Sequence, residues 1–452
     1  YQPLLETTLA DGLARYPQVS VRRGREFTRF IQDAHGVSVM HIESRGAQYS
    51  KQAPVLGQTP APQEGEEVLR ARYFVACDGG RSAVRAQLGI NMTGKSFPNP
   101  WIVVDIRQKD GEDCLRHLPY FSFICDPECP TVSCRQPYGH HRFEFMLMPG
   151  QTKEHMEKPE TIRAYLSKYV DVSKVEILRS LVYTFNALVA EKWRDGRVFL
   201  AGDAAHMTPQ FVGQGMNAGV RDAYNLAWKL DAALKGQADD RLLDSYQSER
   251  RPHAQAMIDL SIHMKNFVST SNPLLGVLRN VATRTARRTP GLREFLSEAK
   301  FKPRPRYEAG AYFGLPRQRR NGLEGEQLPQ PTLADRECQP LLLDEALGEG
   351  YALIGFAVDP RQSLSAADLQ QLAQLNTRYL TLYPAGGRPQ GKAAASTPAG
   401  LSEWEDMSGE CIRRFREAGY AEGAVAIVRP DRFVFAMARP GSAPAAVHSL
   451  LE

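Results

Sequence analysis

Apolar positions along this chain fall in short runs bounded by Gly, Pro and Asp, and longer stretches repeat them at helical spacing, which predicts a mixed α and β fold. Residues 4–13 predict a helix, 19–21 a strand and 37–42 a second strand; 52–65, rich in Pro, Gly and Gln, predicts a loop. Residues 73–77 form a fully apolar strand that stops at Asp78, and 82–88 begin a helix. Between 101 and 186 the pattern turns to strands with turn signals between them: 101–106, 120–125, 131–136, 143–148 and 175–185. Residues 245–264 predict a long helix, followed by an Arg-rich helical connection. Beyond about 330 comes a separate unit: strand 351–358, helix 366–375, strand 378–383, a Gly/Ala/Pro loop over 386–400 and helix 410–418. Strands 424–428 and 433–438 close it, paired about the turn Arg429-Pro430-Asp431.

The most informative stretch runs from Gly196 to Leu230, GRVFLAGDAAHMTPQFVGQGMNAGVRDAYNLAWKL. A short apolar strand, 198–201, breaks at Gly202-Asp203, crosses a Pro/Gly loop over 209–215 and enters a helix. Apolar Val220, Ala223, Leu226, Ala227 and Leu230 predict one buried face of that helix. Strand, Asp, glycine loop and helix start in this order make a corner suited to anions and carbonyl oxygens. The glycines let backbone N–H groups approach a ligand, and the helix dipole favours negative charge at its start. Asp78 stands at the carboxyl end of another strand, where open α/β sheets place ligands.

Composition narrows the classes. With 452 residues and 42% hydrophobic content the chain supports two or three globular cores. A formal charge of +5 and a pI near 8.7 are too mild for a nucleic-acid binder, and no basic stretch is interleaved with stacking aromatics. The densest positive region, 279–320, fits a solvated helical surface better than a polyanion site. No apolar run approaches the ~18 residues of a membrane span. Seven cysteines without a Cys-x-x-Cys fit a reducing, cytoplasmic setting. Cys125, Cys129 and Cys134 lie near His140 and His141, but their spacing matches no familiar zinc pattern, so buried thiols and no metal are expected.

Two motifs carry a family resemblance. The 196–230 segment resembles the second FAD-binding motif of the single-component flavoprotein aromatic hydroxylases, the p-hydroxybenzoate hydroxylase superfamily. YFVACDGGRSAVR, from Tyr73 to Arg85, resembles that family's Asp-Gly motif, which serves FAD and the nicotinamide cofactor. WIVVDI from Trp101, HRFEFMLMPG from His141 and YQSERRPHAQAMIDLS from Tyr246 extend the likeness almost end to end. The family opens with Gly-x-Gly-x-x-Gly, which this chain lacks; it starts at Tyr1 in what resembles a later helix and strand. The expectation is a fragment or truncated product lacking roughly a hundred residues of a dinucleotide-binding start.

The resemblance implies a fold of class α/β (α+β). A Rossmann-like FAD domain (1–95 and 187–265) would hold an inserted β-sheet substrate domain (96–186), a helical linker (266–330) and a thioredoxin-like C-terminal domain (331–452). That last domain lacks the paired cysteines of a redox thioredoxin, so packing or homodimer support is expected of it. The implied activity is a flavoprotein monooxygenase: NADH, with NADPH as the alternative, reduces FAD, and O2 supplies a hydroxyl placed ortho to a phenol's own. The expected substrate is a phenolic aromatic acid, 3-(3-hydroxyphenyl)propionate or 3-hydroxycinnamate, giving the 2,3-dihydroxy product. Another phenol or a polycyclic aromatic, a fragment with only an assembly role, and a flavin reductase without oxygen insertion are the alternatives.

Site residues follow from the same match. Asp203 is expected to accept a hydrogen bond from the FAD ribityl chain. Gly213, Gly215, Met216 and Asn217 should offer backbone N–H groups to the flavin pyrimidine edge, with Pro209 stiffening the loop. Val198, Phe199, Leu200, Ala201, Gly202, Ala204, Ala205, His206, Met207 and Thr208 complete the segment, His206 as a backbone-binding residue. Asp78, Gly79, Ser82 and Arg85 are expected at the dinucleotide, Arg85 near a pyrophosphate or else in a surface ion pair. The phenol needs a base or a strong hydrogen bond, with Tyr183, Tyr138 and His141 as candidates. Arg135 and Arg142 are the candidates for a substrate carboxylate.

Overall fold

A computed structural model describes residues 2–44, 55–97, 99–270, 272–298, 300–313, 322–389, 399–439 and 441–451. Parts of the two predicted loops, 52–54 and 390–398, lie outside them. The chain divides into two compact units, one of residues 1–219 and 254–303, the other of 220–253 and 304–452. The division falls within the helices Gly215–Leu234 and Asp240–Val268.

In the first unit the strands Phe74–Ala76 and Val198–Leu200 lie parallel and adjacent, Val198 opposite Phe74 and Leu200 opposite Ala76. Val198, Phe199 and Leu200 are fully buried, which is why this stretch is an uninterrupted apolar run. Beside them a five-stranded antiparallel sheet has the order Val175–Tyr183, Trp101–Gln108, His140–Met146, Thr131–Arg135, Phe121–Ile124. Its strand Trp101–Gln108 alternates between two cores. Ile102, Val104 and Ile106 pack with Phe143, Phe145, Ile162 and Leu166, on the face covered by the helix Pro159–Leu166. Trp101 joins Val132, Met146, Phe185, Phe211 and Val268 on the other face. WIVV is continuous in sequence because both faces are buried; the alternation is nonetheless strict.

The second unit is built on a seven-stranded mixed sheet. Ala352–Phe356, Arg378–Pro384 and Leu401–Asp406 run parallel, and Val425–Val428 and Val434–Ala438 add an antiparallel hairpin. Helices Ala366–Gln374, Glu410–Glu417 and Ala443–Leu451 bury Leu372, Phe415 and Val447 against it. This is the expected thioredoxin-like arrangement. Its two cysteines, Cys338 and Cys411, are both free thiols.

Two expectations need correction. Residues 19–21 form no strand: Val19 and Val21 are 45% and 56% exposed, and no described strand pairs with them. The helix Gly215–Leu234 buries a different face from the apolar one: Val220 is 58% exposed, while Asp222, Asn225 and Lys229 are buried. Their partners explain it. Asp222 binds Arg250 at 2.9 Å, and Lys229 binds Glu249 at 2.9 Å, all four side chains fully buried. Glu249 also receives Asn225 at 2.7 Å, the Ala311 N–H at 3.1 Å and both terminal nitrogens of Arg429. Arg429 in turn holds Asp431, so a polar face is buried because every charge on it is paired.

Candidate flavin and substrate site

The site begins where the two parallel strands end. Asp78 and Asp203 follow their carboxyl ends, and the Ala201 N–H to Ala76 carbonyl bond (3.0 Å) keeps the two turns side by side. Asp78 accepts the Val84 N–H at 3.1 Å, and Ser82, buried as N-cap of Ala83–Gln87, accepts the Arg85 N–H at 2.9 Å. Arg85 then ties the two motifs together: its guanidinium donates to the carbonyls of Gly80 (2.8 Å) and Ala204 (2.9 Å). These bonds give Arg85 a bracing role that phosphate affinity alone did not suggest. Gly79 has φ +81° with open space where a side chain would stand, so the turn presents bare backbone.

Beyond Val198–Leu200 the chain makes a 3-10 turn, Gly202–Ala204. Ala201, Ala204 and Ala205 are buried, so only their backbone can serve a ligand. Asp203 is different. No side-chain hydrogen bond from the described residues reaches its carboxylate, and burial raises its pKa, opposed by His206. A carboxylate without a donor, on a residue open to solvent, suits a ligand hydroxyl. His206 is fully buried against Trp193, ring centroids 5.2 Å apart, on a strand paired with Val189. Met207 packs on Gly80, and the Thr208 Oγ1 is buried with no hydrogen-bond partner.

Pro209 is locked by the Ser261 hydroxyl, which donates to its carbonyl at 3.0 Å. The next turn, Gln210–Val212, is capped by Gly213 at φ +59°, left-handed backbone that favours glycine. Gly215 opens the long helix. The first N–H groups there, those of Gly215, Met216 and Asn217, have no earlier carbonyl within the helix to bind, and Met216 is 54% exposed. Gly219 comes so close to the turn that an added Cβ would lie 3.3 Å from Gly202 Cα. The sequence reading passed over Gly219, although its spacing from Gly215 was the available signal.

The donor set fits FAD: an unpaired carboxylate at Asp203, an orphaned hydroxyl at Thr208 and open helix-start N–H groups beyond a bare glycine turn. Phe211 of this loop reaches the five-stranded sheet, its ring centroid 5.1 Å from Trp101 and 5.4 Å from Phe185. Phe97, Phe123, Met148, Tyr183 and Met264 pack around that aromatic cluster, and the Trp101 indole N–H lies buried in it without a partner.

The substrate candidates separate sharply. Tyr183 edges the cluster, its hydroxyl bonded by Arg179. Tyr138 does not belong there; it sits 79% exposed at a hairpin tip with φ 61°. His141 is fully buried on the opposite, helix-covered face, its ring tilted against Phe143 and bonded to Ser133 at 2.7 Å. Burial lowers its pKa to about 4, so it is a neutral packing residue. Arg135, opposite His141 in the register, donates to the carbonyls of Leu115, Arg116 and Leu118. Arg142 is clamped to Asp105 by bonds of 2.7 and 3.0 Å. Arg142 is thus held by its strand neighbour, while loop carbonyls hold one terminal nitrogen of the exposed Arg135.

Sequence reasoning missed two groups. Lys265, on the helix Asp240–Val268, lies over the Phe97 ring at 4.5 Å between Met264 and Val268. It forms no ion pair among the described residues, and burial lowers its pKa. Glu144 is the second. It follows Arg142 by two positions, and its signal was the lone acid in an apolar strand. Cys125, Cys129 and Cys134 are thiols whose pKa burial raises, and no group of three potential metal ligands occurs among the described residues.

Parallel strand ends, the paired Asp turns and an aromatic cluster under the loop define a flavin-binding oxygenase architecture. Residues 1–261 match the FAD binding domain family and 325–452 the HcaD C-terminal domain. The 3-(3-hydroxy-phenyl)propionate/3-hydroxycinnamic acid hydroxylase of Klebsiella pneumoniae (strain 342) is 36% identical over 454 residues, covering 100% of this chain and 76% of that protein. The enzyme of the same name from Escherichia coli O81 (strain ED1a) is 37% identical over 440 residues, covering 97% and 74%. The chain belongs to the FAD-dependent aromatic hydroxylases and is a monooxygenase. Solved structures agree on the fold. The flavin-dependent monooxygenase PieE, in complex with FAD and substrate, gives a TM-score of 0.73 at 22% identity, covering 99% of this chain and 78% of that one. Aklavinone-11 hydroxylase with FAD and aklavinone gives 0.69 at 22%, covering 97% and 76%. No helix among the described residues is long and apolar enough to cross a membrane.

Proposed function

We propose that this monooxygenase hydroxylates 3-(3-hydroxyphenyl)propionate or 3-hydroxycinnamate ortho to the phenolic hydroxyl, with NADH as reductant. The observation that carries the reading is the unpaired ammonium of Lys265 beside the aromatic cluster. An aromatic ring among Trp101, Phe185 and Phe211 can send a short acidic side chain to that ammonium. A half-buried cation gains most from an anion that replaces its lost hydration.

Bound FAD would accept the hydride and activate O2 for transfer. Asp203 would hold the ribityl chain, and the N–H groups of Gly215, Met216 and Asn217 would stabilise negative charge at the pyrimidine edge, the Gly213 N–H being spent on the Gln210 carbonyl at 2.7 Å. Phe211 and Trp101 keep water from the ring to be hydroxylated.

Product analysis on the FAD-loaded protein tests this. The expected outcome is a 2,3-dihydroxy product from 3-(3-hydroxyphenyl)propionate and far slower turnover of a neutral phenol such as m-cresol. Lys265→Met should raise KM for the acid about 10–100-fold, the size of one charge-assisted contact, with kcat and the cresol rate little changed. Equal rates for acid and cresol in the unaltered protein would reject the acid reading and favour a neutral or polycyclic substrate.

A further inference from the structure

We infer that Glu144 is the proton acceptor for the substrate phenol, an inference that rests on the hydroxylase reading above. Alternation along the strand puts Glu144 on the face of Met146, two residues away; Val132 is its direct cross-strand partner, and Trp101 is the partner of Met146. Trp101, Val132 and Met146 are the sheet's contribution to the cluster that Phe211 of the flavin loop reaches. Glu144 therefore projects from the sheet face turned to the flavin loop.

Its surroundings leave it unsatisfied. The residue is 7% exposed, and no hydrogen bond from the described residues reaches its carboxyl group. A buried carboxyl without a partner is costly, and it persists where a ligand supplies the missing contact. The charged neighbours on this face are Asp105 and Arg142, from the adjacent strand and from its own, with Cys134 opposite Arg142. Arg142 gives its hydrogen bonds to Asp105, so it lends Glu144 charge at a distance without occupying it. Burial, opposed by Arg142 and reinforced by Asp105, pushes the carboxyl pKa up to about 7. A group there is a stronger base than a surface carboxylate and is still half ionised at neutral pH.

The step balances without another reagent. The phenol O–H bond breaks, the proton bonds to a Glu144 oxygen, and the electron pair stays on the phenolic oxygen. Delocalised onto the ring, that pair makes the ortho carbon the nucleophile that an electrophilic oxygen needs.

Two readouts on the FAD-loaded protein test it. Calorimetric binding in buffers of different ionisation enthalpy counts protons. Near pH 7, a phenol donating to Glu144 stabilises the charged carboxylate, so 3-(3-hydroxyphenyl)propionate should release a fraction of a proton on binding. Its 3-methoxy analogue, which has no O–H, should release none, and neither ligand should do so with Glu144→Gln. In turnover, Glu144→Gln should lower hydroxylation about 100-fold or more and abolish the rise in rate through neutral pH. The loss should be smaller for a ring-fluorinated phenol, whose proton leaves more readily, and FAD affinity should stay unchanged.

Equal proton release in variant and parent, or an unchanged rate profile, overturns the inference alone. Equal loss with both phenols also overturns it, since that marks a structural role. If Glu144→Gln does not fold, the parent decides: equal release by the phenol and its methoxy analogue overturns the assignment. A parent that binds neither ligand rejects the substrate reading together with the inference.

Discussion

Glu144 and Lys265 share a property that their sequence contexts hide: each is a charge drawn out of water without a described partner to answer it, and the more exposed Asp203 likewise lacks one. That is unfavourable in the isolated fold and useful when a ligand completes the set. Asp203→Ala should weaken FAD binding about 10–100-fold, the loss of one hydrogen bond to a charged group, as read by titration of flavin fluorescence. Glu144 has a further consequence for stability. Its folded pKa, about 7, lies above the ordinary 4.5, so the folded state binds the proton more tightly. Its stabilising contribution is full below pH 4.5 and fades as pH rises through about 7. Glu144→Gln should therefore melt higher than the parent above neutral pH and show little gain at pH 4.5. A variant melting lower than the parent at every pH would contradict the assigned environment.

At the level of elements, the apolar patterns predicted most strands and helices of both units to within a few residues. Strands 101–106 and 424–428 and helix 366–375 were legible because their side chains pack by ordinary period-2 and period-3.6 rules. The helix Gly215–Leu234 defeated the same rule. Asp222, Asn225 and Lys229 look solvent-facing by residue type, and their burial depends on Arg250, Glu249 and Arg429, the last some two hundred positions away in sequence. Periodicity carries no information about a partner that remote. The FAD loop was legible because its glycines and Asp203 act through local backbone geometry. The substrate side was not, because Arg142 and His141 are claimed by cross-strand partners and Arg135 by loop carbonyls, contacts that only the fold reveals.

That buried network makes its own prediction. Burial raises the pKa of Glu249, but Arg429 and Lys229 overcome it and hold the carboxyl well below the ordinary 4.5. Its contribution is present above pH 4.5 and is lost as the solution is acidified. Glu249→Gln leaves Lys229 and Arg429 under-compensated and should cost about 3–5 kcal/mol in urea unfolding at neutral pH. A cost below about 1 kcal/mol, the value of an exposed pair, would show that the network is not buried as described.

For the whole molecule, activity depends on where the flavin meets the aromatic substrate. Ligand that binds only folded protein raises its stability, by about 2.7 kcal/mol at a hundred times Kd. FAD should thus raise the melting temperature of the parent, and Asp203→Ala should need correspondingly more FAD for the same shift. The most direct test is a crystal structure of the protein loaded with FAD and 3-(3-hydroxyphenyl)propionate. The predicted result places the flavin pyrimidine edge at the N–H groups of Gly215, Met216 and Asn217, the phenol oxygen within hydrogen-bond distance of Glu144, and the carboxylate at Lys265. An isoalloxazine ring bound away from that loop, or a phenol on the His141 face of the sheet, would contradict it.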